Sequence, residues 1–443
     1  MGAGVAGLCT ARVLADRYQR VTVLDRDDLP VAAVPRRGVP QSQHGHVLLV
    51  SGQRVLEELF PGLSAALVES GATPLETGLD LRFYRYGLLW PTVPTGFEIL
   101  AMSRPLLEHA LRTRVAELPN VSVRAGVAVS GLLPAGPEWT AGPVGVRDAA
   151  IGGVRLDDGA ELPADLVVDC SGRGSRSDRW LAALGLPAPG AVEVKIGVGY
   201  ATRLLRRSPG EFPEGKALLL LPAPPREKCS GLILPIEGDR WLVSVGGWHG
   251  EFPGADPDEF RQHAEALPHP AVAQLLARAE PLTGVMAYQF PSSRRRSFEL
   301  LPAPPGGYVA LGDAICSFNP IYGQGMTCAA LEARELGRVL DRHGGASQAM
   351  ARDFYRAVAG VIAVPWRFAV GGDFAFPETV GPRPRGLALL NVYTRGVQRA
   401  AQVSVDVRRT FTGVQQLVMP PSALFSPRIL AKVLRAAVGG RAA

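Results

Sequence analysis

The chain has 443 residues, 47% hydrophobic and 20% charged, which fits two or three globular domains with a large core and excludes a disordered or fibrous protein. Its net charge of +6 is almost all arginine, with lysine only at Lys195, Lys216, Lys228 and Lys432, and no basic stripe is interleaved with aromatics, so nucleic acid is not an expected partner. The five cysteines, Cys9, Cys170, Cys229, Cys316 and Cys328, show no metal-ligand spacing and read as reduced packing residues of a cytoplasmic protein; no apolar run is long enough for a transmembrane segment.

The chain opens on Gly2-Ala3-Gly4-Val5-Ala6-Gly7, then a helix to about Tyr18 and a strand Val21–Leu24 ending at Asp25. Glycine loop, helix, strand and acid at this spacing seat a pyrophosphate on a helix N-terminus and a ribose hydroxyl on the acid. Asp25 disfavours a 2′-phosphate, so the site suits FAD or NAD rather than NADP. Such a loop is fed by a central strand, and only Met1 precedes Gly2. The expectation is that Met1 is internal to a longer natural chain whose apolar strand lies just upstream.

Next, Arg36-Arg37 leads into Gly38-Val39-Pro40-Gln41-Ser42-Gln43-His44-Gly45-His46, and a helix runs through Gln53 to Gly62. The two histidines show no metal spacing, and capping or packing is the commoner role for His near a helix start. Leu81–Trp90 is strand-like and aromatic, with core packing the default for Tyr84, Tyr86 and Trp90. Ser103 caps a helix with Leu107, Ala110, Leu111, Val115 and Leu118 on one face. Strands are expected at Val121–Ala125, then in a hairpin of segments at Val144–Arg147 and Val154–Leu156 with a turn at Asp158-Gly159, then at Ala164–Cys170. From Val192 a period of two predicts an antiparallel sheet, with Ala217–Leu221, Gly231–Ile236 and Trp241–Val245 as further strands and helices at Asp256–Ala266 and Ala271–Ala279.

The stretch Gly312-Asp313 to Met326-Thr327 follows the short strand Tyr308–Leu311 and enters a helix with Met326, Ala329, Ala330, Ala333, Leu336 and Leu340 at helical spacing. An acid at the strand end accepts hydrogen bonds from ligand hydroxyls, glycines let backbone approach a flat ring, and the helix N-terminus favours negative charge. Those are the needs of a flavin. The tail carries a helix near Ala388–Val407 and, after Pro420-Pro421, a basic amphipathic one at Pro427–Val438, for which packing on its own domain is favoured over lipid contact.

Gly312-Asp313 followed by Pro320-x-x-Gly323-x-Gly325 resembles the second flavin motif of class A FAD-dependent monooxygenases, the p-hydroxybenzoate hydroxylase-like group. Gly38-Val39-Pro40-Gln41-x-x-His44-x-His46, with Leu59-Phe60-Pro61-Gly62 and Gly199-Tyr200-Ala201-Thr202-Arg203, resembles the polyether-pathway polyene epoxidases of that group. The resemblance implies cofactor contacts from Gly2, Gly4, Gly7 and Asp25; from Arg36 or Arg37, with Arg37 preferred, to the pyrophosphate; from Gln41 and His44 to the ring; and from Arg104, in Arg-x-x-Leu-Glu. It also implies Gly312 and Asp313 at the ribityl chain and Pro320, Gly323, Gly325 and Met326 at the isoalloxazine. Ser171-Gly172 stands where the group has Asp-Gly, with Arg176 or Arg179 off the usual offset from Ser175, which leaves NADH versus NADPH open.

The expected fold class is α/β: a Rossmann-type FAD-binding domain (residues 1–78, 101–185 and 291–345) interleaved with a substrate domain on an antiparallel sheet (79–100 and 186–290), plus C-terminal helices (346–443). The implied function is epoxidation or hydroxylation of an apolar natural-product intermediate, with NADPH or NADH as reductant and O2 adding at flavin C4a. No catalytic side chain or metal is named, and the oligomeric state is open. The alternatives are a double-bond reductase resembling geranylgeranyl reductases and a non-redox flavin scaffold for cyclisation; a flavin halogenase is disfavoured because W-x-W-x-I-P is absent.

Overall fold

The computed structural model describes residues 1–136, 149–212 and 215–439; the strand segment expected at Val144–Arg147 lies outside them. Val21–Leu24 pairs in parallel with Val121–Arg124, and Val167–Asp169 with Tyr308–Ala310. Met1 and Gly2 lie between the pairs: the Met1 amino group donates to Val168 O at 2.8 Å, Cys170 N to Met1 O at 2.9 Å, and Gly2 N to Leu24 O at 2.7 Å. Helices Val5–Ala15, Val50–Leu59, Arg104–Ala116, Gly325–His343 and Gln348–Asp373 contribute Leu8, Val55, Leu107, Leu336 and Phe354 to one core with these strands. Val5–Ala15 is buried nearly all round, and Arg104–Ala116 buries one apolar stripe through Leu107, Leu111 and Val115. Ser103 Oγ accepts from Leu106 N at 3.2 Å, the expected cap, a bond that stabilises a helix by about 1 kcal/mol.

Beside this half, Val129–Pro134, Ile151–Leu156 and Glu161–Pro163 form an antiparallel meander. The Asp158-Gly159 turn is where it was expected, but it joins Ile151–Leu156 to Glu161–Pro163.

The second half is an eight-stranded sheet. Its long central strand, Ala191–Arg206, pairs antiparallel with Met286–Arg296 on one side and Arg240–Gly247 on the other. Cys229–Ile236 and Ala217–Leu220 follow. Leu81–Arg85 then pairs in parallel with Ala217–Leu220, so the sheet, antiparallel in its other pairings as expected, takes one parallel pair where the early excursion enters alongside a strand running the same way. The strand Met286–Arg296 crosses the boundary expected at 290/291, and Cys316–Ser317 of the Gly312–Thr327 loop pairs with Arg295 and Arg294 at the sheet edge. That loop is thus stitched into both halves.

Helices Pro257–Glu265 and Ala271–Arg278 pack through Phe260, Val272 and Leu275 against Val243 and Val245 of the sheet. The helix expected over 388–407 is two, Leu387–Ala401 and Val405–Gln415; β-branched Val403 and Ser404, which is extended at φ −131°, end the first and start the second. Val397, Phe411, Ile429 and Val433 from the tail share a core with Phe83 and Trp90.

Candidate cofactor site

A cleft of about 420 Å³ opens where the glycine loop, the Arg36–Gln41 segment, Arg104, the Ser171–Gly174 turn and the Asp313–Met326 loop converge. The three glycines of the fingerprint do different work. A Cβ on Gly7 would fall 1.8 Å from Gly2 O, and one on Gly2 would fall 2.4 Å from Cys170 O; both positions are needed for helix and strand to close on each other. Gly4 lines the cleft, and the nearest atom to a Cβ there is Arg36 Nη2 at 3.7 Å. It caps Val5–Ala15 without a side chain, so the first-turn N–H groups face the cleft, where they favour an anion.

Arg36, not Arg37, faces this loop. Arg37 is exposed and does not line the cleft, because the chain turns at Arg36 to bring one guanidinium inward. Arg36 Nη1 donates to Asp25 at 3.2 Å and to Asp27 Oδ2 at 3.0 Å, and its Nε to Glu108 Oε2 at 3.4 Å. Burial lowers the Arg36 pKa, but Asp25, Glu108 and Asp27 outweigh it and hold the group above its ordinary range. Asp25 also accepts from Ala3 N at 2.6 Å and Asp27 N at 2.9 Å, which fixes the acid at the strand end.

The histidine assignment also changes. His44 is buried and does not line the cleft: its Nδ1 pairs with Thr202 Oγ1 at 2.8 Å and its ring meets Tyr200 edge-on at 4.9 Å. Two residues on, His46 does line it. With His46 Nδ1–H on His44 O at 2.9 Å, its Nε2 is left to accept from Arg104 Nη1 at 3.3 Å. Burial, then Arg104, push the His46 pKa down to about 3, and burial takes His44 to about 4; both rings are neutral at pH 7. Arg104 is steadied by Glu108 at 2.7 Å. Gln41 lines the cleft.

In the Gly312–Thr327 loop, Asp313, Pro320, Gly323, Gly325 and Met326 line the cleft. Gly312 does not; it is buried, packs against Ala6, where a Cβ would come within 3.0 Å, and donates its N–H to Glu332 Oε2 at 2.6 Å. Asp313 is half-buried and accepts no hydrogen bond from a described residue. Burial raises its pKa while Arg104 and Arg173 oppose the rise. A carboxylate left open between two arginines, next to the N-terminus of Gly325–His343, is suited to ligand hydroxyls.

Arg173, Tyr288 and Phe290 are among the cleft residues not expected from the sequence. Arg173 stacks over Phe290 at 4.8 Å and donates to Ser317 Oγ at 2.7 Å and Ser292 O at 2.6 Å. Tyr288 and Phe290 sit two apart on Met286–Arg296 and so share a face; the alternation from Met286 onward was the available signal. Of the two arginines weighed after Ser175, Arg176 lines the cleft and Arg179 does not. Tyr84, Tyr86 and Trp90 do not line the cleft, and Trp90 packs on Phe83 at 4.6 Å.

Beside the Pro320–Gly323 turn lies a chamber of about 100 Å³, which shares Val47, Pro320 and Gly323 with the cleft as walls. Leu81, Ile99, Leu219, Leu232, Leu234 and Ile321 make it apolar; Ser230, Ser244 and Tyr200 supply its polar points. Among the described residues no cluster of His, Cys, Asp and Glu can hold a metal, and no helix is long and apolar enough to cross a membrane.

A glycine loop on a helix N-terminus, an acid on the adjacent strand and a second strand–loop–helix facing it define a Rossmann-type α/β fold with one shared cleft. No protein-family profile matches the chain. It is 32% identical over 457 residues to protein Rv3254 of Mycobacterium tuberculosis, covering 98% of this chain and 93% of that protein, and it belongs to the same family. Among solved structures it is similar to a flavoprotein/dehydrogenase from Cytophaga hutchinsonii (16% identity, TM-score 0.69, 99% and 98% of the two chains). It is also similar to PqsL, a probable FAD-dependent monooxygenase from Pseudomonas aeruginosa (20%, 0.59, 85% and 96%), and to 2-methyl-3-hydroxypyridine-5-carboxylic acid oxygenase (18%, 0.57, 96% and 93%). The chain has the fold of these proteins, the interleaved α/β architecture expected from the sequence.

Proposed function

We propose that the chain is an FAD-dependent monooxygenase that uses NADH or NADPH and O2 to epoxidise or hydroxylate an apolar natural-product intermediate. The observation that carries this is the shared wall. Val47, Pro320 and Gly323 border both the dinucleotide cleft and the apolar chamber, so the reactive end of a cofactor in the one lies against a substrate in the other. Five loop residues named for the flavin, Asp313, Pro320, Gly323, Gly325 and Met326, line the cleft and support the reading.

Gly4, the N-terminus of Val5–Ala15 and Arg36 would hold the pyrophosphate, Asp25 a ribose hydroxyl, and Asp313 the ribityl chain. Pro320, Gly323, Gly325 and Met326, with Gln41, Arg104 and His46, would border the ring. Bound there, the flavin supplies hydride acceptance and oxygen activation. The chain's own part is to orient the substrate against the wall through Leu219, Leu232 and Ile321 and to keep water out; Ser230 and Ser244 offer hydroxyls to one oxygen of an otherwise apolar molecule. His46, neutral at pH 7, accepts from Arg104 and leaves that guanidinium charge in the cleft.

The test is FAD titration followed by NADH and NADPH oxidation with a polyene and phenol panel. The expected result is stoichiometric FAD, lost at least about tenfold in affinity in Asp313→Ala with an unchanged melting temperature, and reductant use that rises with an apolar substrate. No FAD binding, or Asp313→Ala binding it as well as the parent, contradicts the reading.

A further inference from the structure

Of the 47 lysines and arginines, ten fall in residues 379–443, with only one of the 41 acids, Asp406. That segment has a net charge of +9 and the rest of the chain −3. The basic character of this protein therefore resides in its C-terminal helices, which is a statement about partners rather than about fold.

The same helices hold apolar side chains in water. On Leu387–Ala401 the exposed stripe is Ala388, Leu389, Val392, Arg395 and Arg399, at helical spacing, with Leu389 77% and Val392 60% exposed. On Pro427–Gly439, Leu434 is 66% exposed beside Arg435. The two helices lie against each other: a Cβ on Gly396 would meet Val433 Cγ1 at 3.3 Å, and Tyr393 stacks at 4.8 Å on Phe425, itself 47% exposed. Their inner residues Val397, Ile429 and Val433 are already spent on the core with Trp90 and Phe411. Arg385, Arg395, Arg399 and Arg435 are exposed, and among the described residues none of the four has an ion-pair partner.

We propose that this face docks on an anionic bilayer surface, with Leu389, Val392, Phe425 and Leu434 at the headgroup–acyl boundary and the four free arginines on lipid phosphates. Charge selects this occupant. A second copy across a two-fold axis would set like charge against like, and nucleic acid would meet the arginines but leave the leucines and valine in water. The location suits the chemistry proposed above: Leu219 and Ile321 line the chamber and pack against the core that Val397 enters. An apolar substrate held in a bilayer would be one helix layer away.

Flotation of the holoprotein with vesicles decides it and needs no turnover, so its failure is separate from failure of the monooxygenase reading. The expected result is partition onto vesicles of equal parts phosphatidylcholine and phosphatidylglycerol, at least about tenfold weaker on pure phosphatidylcholine or at high salt. Leu389→Ser/Val392→Ser and Arg395→Glu/Arg399→Glu, each shown by circular dichroism to melt as the parent does, should each weaken it about tenfold. No partition onto the anionic vesicles, or partition untouched by both double variants, overturns the proposal. So does a concentration-dependent dimer lost in the Leu389→Ser/Val392→Ser variant, which assigns the face to a second copy. Tighter binding to duplex DNA than to vesicles, unaffected by that variant, also overturns it.

Discussion

Gly4 and Gly7 stand three residues apart and carry opposite burdens. Gly7 has Gly2 O where its Cβ would be, 1.8 Å away, and a backbone oxygen cannot yield as a side-chain tip can. Gly7→Ala should cost roughly 3 kcal/mol, read as a lower denaturant midpoint at constant slope. Gly4 has room, with Arg36 at 3.7 Å, so Gly4→Ala should cost within about 1 kcal/mol as a helix cap. It should nonetheless weaken FAD binding about tenfold, because its methyl group would enter the space proposed for the phosphates. Equal loss of stability in the two variants would refute this division. The residue scale is also where sequence reading reached its limit. Arg36 and Arg37 are neighbours, as are His44 and His46 at one remove, and which member turns inward is set by contacts with Asp25, Asp27 and Thr202 that local pattern does not encode. Asp313 was legible because its chemistry is local: an acid at a strand end before a glycine loop.

The turn Asn319–Gly323 walls both cavities, and it is held by one buried carboxylate. Asp373, at the end of the helix Gln348–Asp373, accepts at Oδ1 from Asn319 Nδ2 at 2.8 Å, Tyr322 OH at 3.3 Å and Trp248 Nε1 at 2.9 Å. Trp248 comes from the sheet side, so Asp373 ties the turn to both halves. Gly372 makes this possible: a Cβ there would lie 2.2 Å from the Tyr322 hydroxyl. Asp373→Ala orphans three donors and should cost about 3 kcal/mol and lower FAD affinity, while Asp373→Asn keeps the accepting oxygen and most of both. An Asn variant as impaired as the Ala variant would show that charge, not the shared acceptor, holds the turn. None of this was legible, since the acid lies 54 positions from Asn319 in a helix running through Pro365.

Across the whole molecule, two buried acids tie stability to pH. Burial pushes Glu332 up to about 8, opposed by its bond from Gly312 N and helped by Asp313, and pushes Asp373 up to about 7, opposed by its three donors. A folded pKa above the unfolded one means the folded state holds the proton more tightly. This contribution is therefore complete below about pH 4 and is lost as pH rises through 7 to 8. Glu332→Gln should flatten the fall in melting temperature between pH 5 and pH 8, and a variant with the parent slope would exclude Glu332 as its source. The architecture was readable at this scale because the glycine fingerprint and the Gly312–Thr327 loop each need only adjacent residues, whereas the strand Met286–Arg296 was obscured by its run of arginines and serines. The measurement to make first is mass spectrometry of products formed by the FAD-loaded protein with NADH or NADPH under isotopically labelled O2, across apolar alkenes and phenols. The monooxygenase reading predicts one labelled oxygen atom in the product. A product with hydrogen added across a double bond, or rearranged without label, would contradict it.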